Sequence, residues 1–148
     1  SYSGGATSDT QASNLIDDNH YTRWLAGERV DGKWFIEFKA SRPISPKTYY
    51  FLSSWDSGTY WDRTPKAWKM YGKKNAGDEW TLLSDLDMDR GDDAHVPGES
   101  IQKSNVFKFN KQQPQDMQYF RLEITKNFGS SAVQLNELIF NYEYNGGK

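Results

Sequence analysis

The chain has 148 residues, a length that suits one domain with a full hydrophobic core. Its formal net charge of −2 gives no attraction to nucleic acid or to an anionic membrane surface. Cysteine is absent, which excludes disulfides, zinc–thiolate sites and thiol catalysis, and no stretch approaches the roughly 20 apolar residues of a membrane-spanning helix.

The first informative stretch precedes Trp24 and is rich in short oxygen-bearing side chains: Asn14, Asp17, Asp18, Asn19 and Thr22. Such residues favour turns because their side chains bond to nearby backbone and leave carbonyl groups free. A loop of this kind suits Ca²⁺, which takes about six to eight oxygen ligands. A distant carboxylate would complete the site, and Glu137 is our candidate. The alternative is a solvated turn that leads into a strand.

The rest of the chain has the pattern of short strands separated by turns. Strands are predicted at Trp34–Lys39, Thr48–Ser53, Ala67–Tyr71, Trp80–Leu83, Val106–Phe109, Tyr119–Thr125 and Val133–Tyr144. Pro43 and Pro46 are expected to bracket a turn between the first two strands. Core positions are expected for the tryptophans in strand-like contexts, which are Trp24, Trp34, Trp68 and Trp80. We find no helix of about ten residues or more, so the pattern favours a β-sandwich.

A second acidic run, Asp85–Asp93, invites comparison with an EF-hand loop. With Asp85 as the first ligand, the sixth position is Arg90 instead of glycine and the twelfth is Val96 instead of glutamate. We therefore interpret the run as a solvated loop. It contains the integrin-binding tripeptide Arg90-Gly91-Asp92, a match too short to support an interaction.

Several segments recur in the order and spacing of one family: Asn14–Asn19 with Thr22–Trp24, Trp34–Phe38, Arg63–Gly72, Trp80–Leu83, Tyr119–Thr125 and Gln134–Phe140. Over nearly the whole chain they resemble discoidin domains, also called coagulation factor V/VIII type C domains, which include the family-32 carbohydrate-binding modules. Asp18 stands where the family usually has glycine, and the disulfide of animal members cannot form. The resemblance implies an all-β, discoidin-like jelly-roll β-sandwich of two antiparallel sheets. We expect residues 1–148 to form one such domain, a module cut from a longer protein.

The resemblance also implies a structural calcium site that joins the first loop to the last strand. Its ligands would be the carboxylates of Asp17 and Glu137, the hydroxyl and carbonyl of Thr22, and the backbone carbonyls of Asn14, Asn19 and Asn136. The ion would tie together the two ends of the chain, where animal relatives use a disulfide. The alternative is the same fold with this position empty or holding sodium or water.

Aromatic residues make up 16% of the chain, more than a core of this size needs, and exposed aromatics usually mark a binding face. Family-32 modules bind sugars through loops near the calcium loop. A sugar site needs a flat aromatic ring for the C–H face and polar groups for the hydroxyls. The loop Ser54–Arg63 contains this mixture, so the predicted ligand-binding residues are Trp55, Asp56, Tyr60, Trp61 and Arg63. The resemblance adds Phe128, which matches a loop that often supplies a second aromatic in the family. Glu28 and Arg29 stand where many galactose binders have histidine, which disfavours galactose.

Structural roles stay open for some of these residues. Trp55 or Trp61 could fold back over the core, and Arg63 could be a structural partner of Asp62 or Glu79. A lysine-rich segment has the pattern of a solvated strand and turn, with a phosphate or sulfate site as the alternative: Lys66, Lys69, Lys73 and Lys74.

The first functional hypothesis is a non-catalytic carbohydrate-binding module, monomeric and with calcium as a structural ion. Its partner would be the terminal sugar of a polysaccharide or glycoconjugate. It would hold an exported glycosidase or surface protein near that glycan, outside the cell, at its surface or in the periplasm. The second hypothesis is a protein- or phospholipid-binding adhesion module, although Asp56 and Asp62 would repel anionic lipid. The third, an enzyme, lacks any nucleophile motif to support it.

Overall fold

The computed structural model describes residues 12–17, 19, 21–27, 29–54, 56–98, 100–109 and 116–143. The strands in this part of the chain are β1 (Trp24–Ala26), β2 (Trp34–Leu52), β3 (Pro65–Lys73), β4 (Thr81–Asp87), β5 (Phe107–Lys108), β6 (Met117–Asn127), β7 (Val133–Leu135) and β8 (Glu137–Glu143). Short 3₁₀ helices span Ala12–Ile16, Trp61–Arg63 and Met88–Arg90. Among these described residues, no helix is both long enough and apolar enough to cross a bilayer.

Strand β2, 19 residues long, joins the layers of the fold because its two halves pair with different strands. Its first half pairs antiparallel with β6, which pairs with β3, and β3 pairs with β4. Its second half pairs with β8 and, over two residues, with β5. Strands β1 and β7 form a separate two-stranded sheet. The predicted all-β sandwich with antiparallel pairing is confirmed.

The turn that we expected between Pro43 and Pro46 was a wrong prediction, because β2 runs through both prolines. The register with β6 shifts between Lys39 and Ile44, and the register with β8 shifts between Pro46 and Thr48. A proline is tolerated at such irregularities, because the ladder is already interrupted where proline has no N–H to donate. The two prolines therefore mark bends in one long strand.

Aromatic rings dominate the hydrophobic core. Trp24, Trp34 and Trp68 are at most 1% exposed, which confirms their predicted core positions. The indole N–H of Trp68 donates to the Tyr49 hydroxyl at 2.8 Å, and that hydroxyl lies 2.7 Å from Ser84 Oγ. Burial raises the pKa of Tyr49 to about 12, so the ring stays neutral in this network.

Trp80 departs from the prediction for the tryptophans, because it is only partly buried and precedes β4. The ammonium group of Lys73 lies 4.2 Å from the centroid of its ring. The buried apolar residue of β4 is Leu83, which takes the core position that the prediction gave to Trp80. Strand β4 also continues to Asp87, into the acidic run that we had assigned to a loop.

Basic side chains of this protein form salt bridges with the aspartates of the acidic run Asp85–Asp93. The Arg90 guanidinium lies 3.2 Å from Asp85 and 2.6 Å from Asp92, and Lys126 lies 2.8 Å from Asp87. These pairs agree with the interpretation of a solvated surface segment. They also bind Arg90 to the aspartate of its own tripeptide, which leaves the arginine less available to another protein.

Candidate functional site

The candidate site lies where the loop between β2 and β3 meets residues next to β1, β6 and β7. Its base is a charged network of four side chains from three segments: Arg23 before β1, Asp56 and Arg63 in the β2–β3 loop, and Gln134 in β7. Arg23 Nη1 lies 2.6 Å from Asp56 Oδ2 and donates to Gln134 Oε1 at 3.2 Å. Arg63 Nη1 approaches the same two oxygens, at 4.0 and 3.5 Å.

This network is shielded from water. The side chains of Arg23 and Asp56 are only 12% and 10% exposed, so their attraction is screened less than that of a surface pair. Asp56 Oδ1 and Gln134 Nε2 are buried and have no hydrogen-bond partner within the described part of the chain. One acceptor and one donor of the network therefore have hydrogen-bonding capacity that a buried water molecule could satisfy.

Aromatic side chains lie over and beside the network. Tyr60 and Trp61 are 43% and 54% exposed. The Arg63 guanidinium carbon lies 4.0 Å from the centroid of the Tyr60 ring, in cation–π contact. The rings of Trp61 and Phe128 have centroids 6.0 Å apart and are inclined by 56°. The amide of Phe128 donates to the carbonyl of Asp62 at 3.1 Å, which holds the two loops together.

The structure thus brings together most of the predicted ligand-binding residues, while Trp55 and Glu28 lie outside the described residues. Trp61 is exposed and does not fold back over the core. Asp56 is bound to Arg23 and largely buried, so it is placed to position arginine side chains rather than to reach a ligand. Arg63 contacts Asp56 and Gln134 in place of the partners suggested from sequence.

Arg23 is the site residue that sequence reasoning missed. A local signal exists, because Trp24 is fully buried and alternation along an extended chain directs Arg23 away from the core. Its partners, however, lie 33 and 111 residues further along the chain. No local pattern connects residues at those separations.

The predicted cation ligands also meet. The Asp17 carboxylate accepts the hydroxyl of Thr22 at 2.5 Å and the backbone amide of Asn19 at 2.9 Å. Burial opposes ionisation of Asp17, but hydrogen bonds from Thr22, from Glu137 and from the Asn19 amide together lower its pKa. Asn136 and Glu137 lie at the junction of β7 and β8 and are 0% and 2% exposed.

Asp17 and Glu137 therefore bring two carboxyl groups into hydrogen-bonding reach. Two carboxylates at this range cannot both be ionised without a compensating charge, so either a shared proton or a cation satisfies them. Asn14 lies in the 3₁₀ helix Ala12–Ile16, directly before Asp17. In the described residues no group of three or more His, Asp or Glu could hold a metal, so a cation here would also need carbonyl and hydroxyl oxygens.

Comparison with known proteins establishes the fold. No family model and no curated protein matches the chain. It is similar to the F5/8 type C domain of a Bacteroides fragilis protein, with a TM-score of 0.67 and 15% identity over 97% of this chain and 89% of that one. It is also similar to the module CBM32-3 of a family 31 glycoside hydrolase from Clostridium perfringens, with a TM-score of 0.72 and 18% identity over 97% and 88% of the two chains.

A further similar structure is chitosan-binding module 1 of a chitosanase/glucanase from Paenibacillus sp. IK-5, with a TM-score of 0.59 and 16% identity over 98% and 92% of the two chains. These likenesses confirm the discoidin-type β-sandwich that the sequence resemblance predicted.

Proposed function

We propose that this domain is a non-catalytic carbohydrate-binding module that holds an exported bacterial glycosidase or surface protein near a glycan. The observation that carries the proposal is the aromatic cluster beside Arg63, in which Tyr60 and Trp61 are exposed and Phe128 is partly buried. An aromatic ring offers a flat face to the C–H side of a sugar, and a fixed guanidinium donates to its hydroxyls. Two structures with the same fold are named as carbohydrate- or chitosan-binding modules, which supports this ligand class.

The ligand is a terminal sugar, because the aromatic cluster lies on loops at one end of the sandwich. Few groups contact a small ligand of this kind and water competes for each hydroxyl, so we expect a dissociation constant of about 0.1–1 mM. Clustered glycans or the attached protein would raise the apparent affinity through avidity.

Binding without catalysis is supported by the state of Asp56, the carboxylate of the cluster that Arg23 binds. Glycoside hydrolysis needs a pair of carboxyl groups that flank the scissile bond. Asp56 is held by Arg23 at 2.6 Å with a side chain only 10% exposed, so it supplies neither an acid nor a nucleophile. Hydrolysis of aryl-glycoside substrates above a buffer blank would contradict this part of the proposal.

A glycan array in calcium buffer, followed by titration of its hits, tests the function. The wild type should bind a defined set of terminal sugars. Trp61→Ala and Arg63→Ala should each weaken that binding tenfold or more, equivalent to about 1.4 kcal/mol. Tyr142→Ala, which removes a ring 52% exposed on β8, is the matched control and should bind normally. Wild-type affinity in both folded variants would reject the site, and liposome sedimentation would then test a lipid partner.

We further propose that Ca²⁺ occupies the Asp17–Glu137 position as a structural ion. Carbonyl oxygens of Asn14, Asn19 and Asn136 and the oxygens of Thr22 would complete its shell. The ion would join the first loop to the last strand by neutralising two adjacent carboxylates.

Thermal unfolding with millimolar calcium and with EDTA tests this ion. Calcium should raise the melting temperature of the wild type and leave Asp17→Ala unchanged. At a calcium concentration of about 100 times the dissociation constant the gain is about 2.7 kcal/mol. Identical melting of the wild type in both buffers would reject the calcium site while leaving the glycan site untouched.

A further inference from the structure

A second aromatic and basic feature lies on the outer face of the β2–β6–β3 sheet, far from the site just described. Tyr119 of β6 is directly opposite Lys39 of β2 on one side and Lys73 of β3 on the other. Their chain neighbours Phe120 and Gly72 are buried, so alternation places this row of three on the outer face.

The row lies at the end of β3 opposite the candidate glycan site. Strand β3 has nine residues, and its other end pairs with β6 at Asn127, next to Phe128. At about 3.3 Å per residue the two ends are about 25 Å apart. A ligand at one end therefore does not contact the other.

Several charges on this face are paired with one another, whereas those of the Lys39–Tyr119–Lys73 row are not. Arg121 binds both Glu37 and Glu123, and Lys33 lies 3.3 Å from Glu123. Within the described residues neither Lys39 nor Lys73 forms a salt bridge. Two lysines thus keep their positive charge on a chain whose net charge is −2.

Two aromatic rings adjoin these ammonium groups. Lys73 Nζ lies 4.2 Å from the ring centroid of Trp80, and Lys39 Nζ lies 5.4 Å from that of Tyr119. Lys73 Nζ also donates to the carbonyl of Ala76 at 2.8 Å, which holds it beside Trp80. The four side chains border a depression of about 330 Å³, at the lower end of the range for ligand pockets.

We propose that this depression is a second binding site and that its ligand is an acidic saccharide. Carboxylate or sulfate ester groups of the saccharide pair with Lys39 and Lys73, and a sugar ring contacts the partly exposed side chain of Trp80. The proposal rests on the proposed function only for the class of ligand, because it uses none of the residues of the Trp61 cluster.

The local chemistry favours an acidic sugar over other ligands. A neutral sugar would leave both ammonium groups without counter-charges, whereas an anionic group gains a charge-assisted hydrogen bond from each. Nucleic acid is held by neutralising many phosphates, and this depression offers two lysines beside the Glu37 carboxylate.

Affinity electrophoresis of the whole 148-residue domain tests the site with three probes: polygalacturonate, dextran sulfate and neutral dextran. The wild type should be retarded by at least one acidic polymer and not by neutral dextran. Retardation by polygalacturonate alone assigns a carboxylate ligand, and retardation by dextran sulfate alone assigns a sulfate ester. No retardation of the folded domain by either acidic polymer would overturn the proposal.

Variants separate this site from general charge and from the Trp61 cluster. Lys39→Gln/Lys73→Gln should weaken retardation tenfold or more. Lys47→Gln/Lys108→Gln, which removes two other exposed lysines, should retain it. Equal loss in both double variants would show non-specific attraction and overturn the site. Trp61→Ala should keep its retardation by the acidic polymer even where it loses its array ligand, so either proposal can fail alone.

Discussion

The two ends of β3 place a positive charge beside an aromatic ring in two different ways. At the loop end, Arg63 stacks on Tyr60 and the buried carboxylate of Asp56 opposes its charge. At the other end, Lys73 lies over Trp80 without a salt bridge to a carboxylate in the described residues. The first arrangement fixes a guanidinium as a hydrogen-bond donor for neutral hydroxyls. The second leaves a net charge for an anion.

The two ends of β3 also differ in how deeply their charged side chains are buried. Arg23 and Asp56 connect the loop end to β1 and β7, and their side chains are almost enclosed. Lys39 and Lys73 instead extend from strands whose stability comes from pairing and from the core on the opposite face. Substitutions of Arg23 or Asp56 at the loop end should therefore cost stability, whereas substitutions of the two lysines should cost only binding.

The largest expected effect is on stability at the loop end. Asp56→Ala removes the carboxylate between two arginines and leaves Arg23, 12% exposed, without its counter-charge. Loss of one partner of a buried pair costs about 3 kcal/mol or more. Denaturant unfolding should show this loss, whereas the neighbouring control Asp62→Asn and Lys73→Gln should stay within about 0.5 kcal/mol of the wild type. Equal stability of the Asp56 and Asp62 variants would contradict the stabilising role of the buried charged network at the loop end.

The next largest expected effect is that a substitution at each end weakens the binding of one ligand and leaves the other unchanged. Trp61→Ala should lose about tenfold, or 1.4 kcal/mol, in affinity for the array sugar and nothing for the acidic polymer. Trp80→Ala should show the reverse, because its ring is partly exposed beside Lys73 and is not a core residue. Titration of each variant with both ligands gives the measurement. Loss of both ligands in either folded variant would mean that the two ends form one site.

The tryptophans show how far sequence patterns reach. Trp24, Trp34 and Trp68 belong to paired strands, where alternation assigns a face, and all three are buried. Trp80 lies one residue before β4, outside the strand pairing, and the pattern placed it wrongly. Alternation therefore predicts burial for residues of a strand, even at its first position, and becomes unreliable in the connections between strands, where binding residues concentrate.

The sequence predicted the loop residues of the candidate site but not the contacts of the charged network beneath them. Trp61 and Arg63 were identified because aromatic and polar residues cluster in one loop, and that signal is local. The contact of Arg23 with Gln134 spans 111 residues and depends on how the sheets close. The Lys39–Tyr119–Lys73 row likewise depends on the register of three strands, which no local pattern in the sequence reveals.

A smaller effect should come from salt. Binding of an acidic polymer by two lysines releases counterions, and a slope of about −0.7 per neutralised charge predicts roughly a sevenfold loss between 50 and 200 mM salt. Sugar binding at the loop end should change less than twofold, because Asp56 already opposes the arginine charge there. Parallel titrations at the two salt concentrations provide the test. Equal salt dependence at both ends would contradict the assignment of a neutral ligand to one and an acidic ligand to the other.

The smallest expected effect is a pH dependence of stability at the loop end. It comes from Asp17, whose turn contains Thr22, the residue before Arg23. The pKa of Asp17 is lowered in the folded state, despite burial, by hydrogen bonds from Thr22, Glu137 and the Asn19 amide. Its contribution to stability is therefore present above the unfolded value of about 3.9 and is lost as pH falls through the lower folded value. In EDTA, the difference in melting temperature between the wild type and Asp17→Asn should be constant from pH 7 to about 5 and should shrink below about pH 4. The difference between the wild type and Lys39→Gln/Lys73→Gln should show no such convergence, because neither lysine forms a salt bridge with a carboxylate in the described residues. An Asp17 difference that persists unchanged at pH 2 would show that the hydrogen bonds of this turn do not favour the ionised carboxylate.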